Sequence, residues 1–144
     1  MRYDVRMQTI GDIYKAGGIL IQDRKLLFAR TEGSGIFIDP GGQLEAGETA
    51  PQALVRELHE ELGITVNEAD LEEFGEYTAE AANHPGRIVH MQVFLVKRWE
   101  GEIVASSEIE EVRWLTSEVP SDIKTGSIFG GKVLPALHAL GLVD

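Results

Sequence analysis

The sequence predicts an α/β fold in which a mixed β-sheet lies between helices. Short apolar runs typical of strands occur before, between and after two segments with helical periodicity. The chain has 144 residues, a length that favours one domain, residues 1–144, around one core. A content of 43% hydrophobic and 26% charged residues is that of a folded globular protein.

The first strands are predicted near the N-terminus. Tyr3, Val5 and Met7 alternate with polar residues, which predicts a short strand. The apolar runs 16–21 and 26–29 are separated by four polar residues, and this pattern predicts a hairpin within a sheet.

A short strand and the clearest helix follow. The apolar run 36–38 ends at residues 39–42, Asp-Pro-Gly-Gly, because proline removes a hydrogen-bond donor and glycine permits unusual backbone conformations. A helix is predicted over residues 49–62, since its first residue and Gln52 have the spacing of a capping box. Gly63 is placed to end this helix.

The second half of the chain predicts another hairpin and a further strand. Residues 74–79 and 88–99 flank the turn-forming tetrapeptide 83–86. Val112 and Trp114 alternate with polar residues on the next strand.

A C-terminal helix completes the pattern. It is predicted to begin close to Pro135 and to end at Gly141. Its apolar positions recur at helical spacing and are Phe129, Val133, Leu137 and Leu140.

Charge and composition exclude several classes of function. The chain has 13 basic and 24 acidic residues, a net charge of −11, which argues against binding a nucleic acid polymer or an anionic membrane. It contains no cysteine, so disulfides, Cys-ligated zinc and thiol catalysis are excluded. With no apolar stretch of membrane-spanning length and no signal-peptide pattern, a cytoplasmic protein is expected.

Three carboxylates form an acidic ridge on the first helix. With Glu57 set at zero, Glu60 falls near −60° and Glu61 near +40° at about 100° per residue. Glu61 lies nearest to the stripe expected to face the core, which consists of Leu54, Leu58 and Leu62.

The ridge predicts a bound cation. Glu57 and Glu61 are like charges four residues apart, which is unfavourable on an isolated helix. Arg56 can pair with Glu60, but one guanidinium cannot neutralise three carboxylates. Clustered oxygen ligands suit Mg²⁺ or Mn²⁺.

The segment 42–64 resembles the Nudix box, the signature of hydrolases that act on nucleoside diphosphates linked to another moiety. The match includes every specified position, namely Gly42, Glu48, Arg56, Glu57, Leu58, Glu60, Glu61, Gly63 and Ile64. The resemblance implies a Nudix-type α/β/α sandwich with a mixed sheet between helices, divalent-metal dependence and a small nucleotide substrate.

The resemblance also implies roles for individual residues. The catalytic set is Arg56, Glu57, Glu60 and Glu61. The metal ligands are Glu57, Glu60 and Glu61, with help from Glu48 and the Gly41 carbonyl, while Arg56 holds a glutamate in place. Glu60 or Glu61 is the preferred general base. The alternatives lie on a later loop and are Glu108, Glu110 and Glu111.

The sequence markers of several Nudix subgroups are absent outside the box. By elimination, a MutT-like nucleoside triphosphate pyrophosphohydrolase is expected, an enzyme that releases a monophosphate and pyrophosphate. The alternatives are an ADP-ribose, nucleotide-sugar or dinucleotide pyrophosphatase, and, in another class, a non-catalytic nucleotide-binding module. Candidate substrate contacts are Arg30, Arg87, Glu108 and Phe129. Relatives suggest a monomer or a homodimer by analogy.

Overall fold

The computed structural model describes residues 11–81 and 85–144. The predicted strand around Val5 and residues 83–84 of the predicted turn lie outside these ranges. Nine strands occur in the described part of the chain: β1 Ile13–Ile19, β2 Ile21–Gln22, β3 Lys25–Thr31, β4 Ile36–Phe37, β5 Gly41–Gln43, β6 Leu71–Glu80, β7 Ile88–Val96, β8 Ile109–Leu115 and β9 Lys124–Thr125.

The largest sheet is mixed, as predicted. Its order is β5-β1-β7-β6. β1 pairs with β7 in parallel and with β5 in antiparallel orientation, and β6 pairs with β7 as the predicted antiparallel hairpin. β7 ends at Val96, so residues 97–99 do not extend it.

Two smaller sheets complete the β structure. β2, β3 and β8 form an antiparallel sheet, in which Val112 and Trp114 lie on β8 as predicted, while β4 pairs with β9. The first predicted hairpin was largely wrong. Of the run 16–21, only Ile21, in β2, pairs with β3. Most of the run belongs to β1 in the larger sheet.

The first helix, α1 (Ala50–Leu62), confirms the prediction in detail. The Thr49 hydroxyl accepts a hydrogen bond from the Gln52 N–H, and the Gln52 side chain accepts one from the Thr49 N–H. Gly63 ends the helix in the left-handed conformation, φ 71°. The three leucines of the predicted apolar stripe are fully buried.

The core is divided between the two faces of the large sheet. On one face, Ala16 and Phe94 pack with the leucines of α1. On the other, Ile19 and Val93 pack with the C-terminal helical segment. Alternate residues of β1 and β7 therefore point to opposite layers, which gives the predicted arrangement of helices on both sides of a mixed sheet.

The C-terminal helical segment begins earlier than predicted. A π-helical turn, Phe129–Val133, leads into α2 (Leu134–Ala139), with Pro135 in the first turn of α2. The prediction for Leu140 was wrong, because this residue follows the helix and is 64% exposed. Among the described residues, no helix combines the length and the apolar character needed to cross a bilayer.

Candidate active site

Two glycines bring β5 against the acidic face of α1. The Gly41 N–H donates to Glu61 Oε1 at 2.9 Å. A side chain at Gly41, where φ is 138°, would collide with the Ala16 carbonyl, and a methyl group at Gly42 would lie 2.6 Å from Glu57 Cδ. Glycine is therefore required for the close approach of this strand to both glutamates.

A third carboxylate joins these two from the loop before β8. Carboxylate oxygens of Glu57, Glu61 and Glu108 lie within 4.8 Å of one another. The Ser106 N–H donates to the Glu61 carbonyl at 2.9 Å and fixes this loop to the C-terminal end of α1. The fold therefore assembles a cluster from two segments that are distant in sequence, which we call the carboxylate cluster (Glu57, Glu61 and Glu108).

Burial dominates the electrostatics of the carboxylate cluster. Glu61 is 4% exposed, and burial raises its pKa to about 8 although the Gly41 N–H opposes the shift. The charges of Glu57 and Glu108 raise this pKa further, and burial also raises the pKa of Glu57. Crowded, partly desolvated oxygen ligands of this kind fit a hard divalent cation, which would neutralise them.

Arg56 binds two glutamates of the motif, Glu48 and Glu57. Its Nε and Nη2 atoms donate to the two carboxylate oxygens of Glu48 at 2.8 and 2.9 Å, and Nη1 donates to Glu57 Oε1 at 2.8 Å. The bonds to Arg56 lower the pKa of Glu48. Arg56 thus contacts Glu57 within the carboxylate cluster and Glu48 outside it.

The structure divides the predicted metal ligands. Glu57 and Glu61 lie in the carboxylate cluster, whereas the Glu60 side chain is 50% exposed and lies 3.5 Å from Arg56. Glu48 is occupied by its two bonds to Arg56. Glu108, predicted from sequence as a substrate contact or an alternative general base, lies in the carboxylate cluster instead of Glu60.

We expect Arg56→Met to lower the free energy of unfolding by roughly 1.5–3 kcal/mol, because charge-assisted hydrogen bonds to two partly buried carboxylates are lost. Urea denaturation of both proteins measures the change. Arg98→Met is the matched control, since Arg98 is 77% exposed in its ion pair with Asp70 and should change stability by less than about 0.5 kcal/mol. Equal destabilisation by both substitutions would argue against a positioning role for Arg56.

The other candidate substrate contacts are not members of the carboxylate cluster. Arg30 pairs with Glu110 at 3.4 Å and with Glu111 at 3.1 Å, so these three side chains are engaged with one another. Arg87 donates to the Gly11 carbonyl at 2.6 Å. Phe129 is 1% exposed and packs edge-on against Phe28.

A cleft of about 330 Å³ opens beside β1 and β7, and none of the three residues of the carboxylate cluster lines it. Its lining includes Lys15, Asp39, Met91 and Phe129. Asp39 connects the two regions, because it lies two residues before Gly41 and its charge contributes to the raised pKa of Glu61. Asp39 was predicted only as a turn residue, and no sequence pattern indicated Lys15 or the cleft.

The fold and the site define an α/β sandwich protein in which carboxylates cluster where α1 meets β5. A family model described as the NUDIX domain matches residues 13–137. The chain belongs to the Nudix family.

Named relatives agree with this assignment. The chain is 49% identical over 63 residues to an 8-oxo-dGTP diphosphatase of Escherichia coli, a match that covers 44% of this chain and 45% of the relative. It is 36% identical over 107 residues to the CTP pyrophosphohydrolase of Escherichia coli, covering 74% and 72%. The solution structure of the E. coli ORF135 protein superimposes with a TM-score of 0.72 at 28% identity, covering 92% of this chain and 95% of that one.

Proposed function

We propose that this protein hydrolyses a diphosphate linkage in nucleoside triphosphates and releases a nucleoside monophosphate and pyrophosphate. The observation that carries the proposal is the carboxylate cluster, and the cleft lined by Asp39, whose charge acts on Glu61, is the proposed place for the nucleoside. Two of the similar proteins are named for reactions of this kind on 8-oxo-dGTP and CTP. The match to the first of them covers less than half of its length, so the substrate is part of the proposal.

Mg²⁺ or Mn²⁺ is the proposed cofactor. Glu57, Glu61 and Glu108 would hold it, because their oxygens converge in a partly desolvated site where a cation would favour the charged form of each carboxylate. When bound, the cation supplies Lewis-acid neutralisation of the diphosphate charge and lowers the pKa of a coordinated water.

Glu61 is the proposed general base. Its Oε1 atom accepts the hydrogen bond from Gly41, which fixes the carboxylate and leaves Oε2 for the proton of an attacking water. In the absence of a cation, burial raises the pKa of Glu61 to about 8, so this carboxylate has a higher affinity for a proton than an exposed glutamate. Glu60, the other candidate in the motif, is half exposed and lies outside the carboxylate cluster.

Arg56 and the two glycines are proposed to preorganise this reaction. Arg56 fixes Glu57, and Gly42 leaves the space that the Glu57 carboxylate occupies. Because these groups are in place before substrate arrives, little reorganisation is needed when charge develops on the phosphate oxygens.

A nucleotide panel tests the proposal. Wild-type protein with Mg²⁺ is expected to release pyrophosphate and a monophosphate from at least one triphosphate, as measured by separation of the products. Turnover of ADP-ribose with none of the triphosphates would replace the proposed substrate by the alternative named in the sequence analysis. Nucleotide-induced thermal stabilisation without turnover of any compound would support a non-catalytic binding module instead. The oligomeric state and the cytoplasmic localisation stay predictions.

A further inference from the structure

The pairing of β8 with β3 contains a β-bulge. Arg30 of β3 pairs with Glu111 of β8. The next residue of β3, Thr31, pairs with Ile109, so the register skips Glu110. Two residues of β8 thus lie opposite one residue of β3, and a bulge of this kind displaces the residues beyond it by one position along the partner strand.

The bulge sets the position of Glu108. In the observed register, the Glu32 N–H donates to the Glu108 carbonyl at 2.8 Å. In a regular ladder that continued from Arg30 and Glu111, Glu32 would lie opposite Ile109. Glu108 would then move by one residue, about 3.4 Å along the strand, and its side chain would point to the opposite face. The place of Glu108 in the carboxylate cluster therefore depends on the bulge.

Arg30 binds the two carboxylates that the bulge brings together. Consecutive residues of a regular strand point to opposite faces. Glu110 and Glu111 nevertheless both reach Arg30 Nη2, at 3.4 and 3.1 Å. Two neighbouring carboxylates on one side of a strand repel each other, and the guanidinium between them offsets this repulsion. Because the Arg30 side chain is only 18% exposed, these contacts stabilise the bulged register with limited screening by water.

Two further contacts fix the orientation of the Arg30 guanidinium. Its Nη1 atom donates to the Ser34 carbonyl at 3.0 Å, and its central carbon lies 5.8 Å from the centre of the Phe37 ring. Phe37 is 4% exposed and belongs to the core. Arg30 is therefore held in place by the segment 34–37 on one side while it binds the bulge on the other.

We propose that Arg30 is a positioning residue, which holds Glu108 in the carboxylate cluster by stabilising the bulge of β8. This inference rests on the proposed function, because the carboxylate cluster is the proposed metal site. It differs from the role of substrate contact predicted for Arg30 from sequence. A substrate contact leaves metal binding unchanged when no nucleotide is present, whereas a positioning residue for a metal ligand affects metal binding directly.

The dissociation constant for Mn²⁺ in the absence of nucleotide is the first test, measured from the electron paramagnetic resonance signal of the free ion. Arg30→Met should raise this constant roughly tenfold, the lower end of the effect of losing a group that orients a metal ligand. Arg30→Lys should restore only part of the affinity, because an ammonium lacks the planar fork that reaches Glu111 and Ser34 together. An unchanged constant in Arg30→Met would overturn the inference while the proposed hydrolysis stands.

Arg113→Met is the matched control. Arg113 donates to the second carboxylate oxygen of Glu111 at 2.8 Å, and its central carbon lies 5.7 Å from the centre of the Phe37 ring. It makes no ion pair with Glu110 in the part of the chain that the structure describes. The control should therefore change the dissociation constant for Mn²⁺ by less than about twofold, as expected for an exposed ion pair. Equal losses of affinity in the two variants would contradict a specific role of Arg30.

Amide hydrogen exchange tests the same positioning without a metal. The Glu32 N–H, which binds the Glu108 carbonyl, should exchange several-fold faster in Arg30→Met than in wild type. The Leu27 N–H, which binds the Leu20 carbonyl, should keep its rate. If wild type binds no Mn²⁺, the proposed metal site fails, and the Glu32 exchange rate still decides whether Arg30 holds Glu108. An unchanged Glu32 rate, or equal acceleration of both amides, would refute the inference. Arg30→Lys serves for both measurements if Arg30→Met does not fold.

Discussion

Glu61→Gln is expected to lower kcat for nucleotide hydrolysis by roughly 10²–10⁴-fold, the range associated with loss of a general base. The substitution keeps the shape of the side chain, and the amide oxygen can still accept the Gly41 N–H. What is lost is the negative charge and the proton acceptor beside Glu57 and Glu108. Activity should therefore fall while the fold is retained, as measured by steady-state kinetics and circular dichroism on the same samples.

Two further variants make this result specific. Glu72→Gln removes an exposed glutamate of β6 and should leave kcat unchanged, since it lies outside the carboxylate cluster and the cleft. Glu60→Gln should cost less than Glu61→Gln, because Glu60 is half exposed and its partner within 4 Å is Arg56. A larger loss from Glu60→Gln would show that the sequence-based alternative is correct and that Glu61 is not the base.

The features that sequence predicted well depend on neighbouring residues. The cap at Thr49, the end of α1 at Gly63 and the burial of Glu61 next to the apolar stripe all follow from helical spacing within 15 residues. The order of strand and helix patterns predicted a mixed sheet between helices, and the family resemblance specified it as the Nudix α/β/α sandwich.

The features that sequence missed depend on distant segments meeting. Glu108 reaches α1 because the loop before β8 is bound to the last turn of the helix, and no local pattern encodes that contact. Lys15 and Asp39 share a cleft because β1 lies beside the turn that leads into β5. The run 16–21 was assigned to a hairpin since periodicity identifies strands without identifying their partners.

The stability of the metal-free protein is expected to decrease as pH rises from 5 to 8. Glu61 has a folded pKa of about 8 against an ordinary value of 4.5, so between these values the folded state holds a proton that the unfolded state has released. Stability falls with pH wherever the folded state binds more protons. At about 1.4 kcal/mol per pKa unit, the loss across this window is at most roughly 5 kcal/mol.

Urea denaturation in a chelator, at pH 5 to 9, measures this dependence, and the curve should level above pH 8. Glu61→Gln removes the titrating group, so it should flatten most of the slope and make the metal-free protein more stable than wild type at pH 8. Saturating Mg²⁺ should increase the stability of the wild-type protein at pH 8, because the cation binds the deprotonated carboxylates of the folded state. A metal-free wild type as stable at pH 8 as at pH 5 would show that Glu61 is ionised without cost. The carboxylate cluster would then lack the electrostatic strain that a divalent ion is expected to relieve.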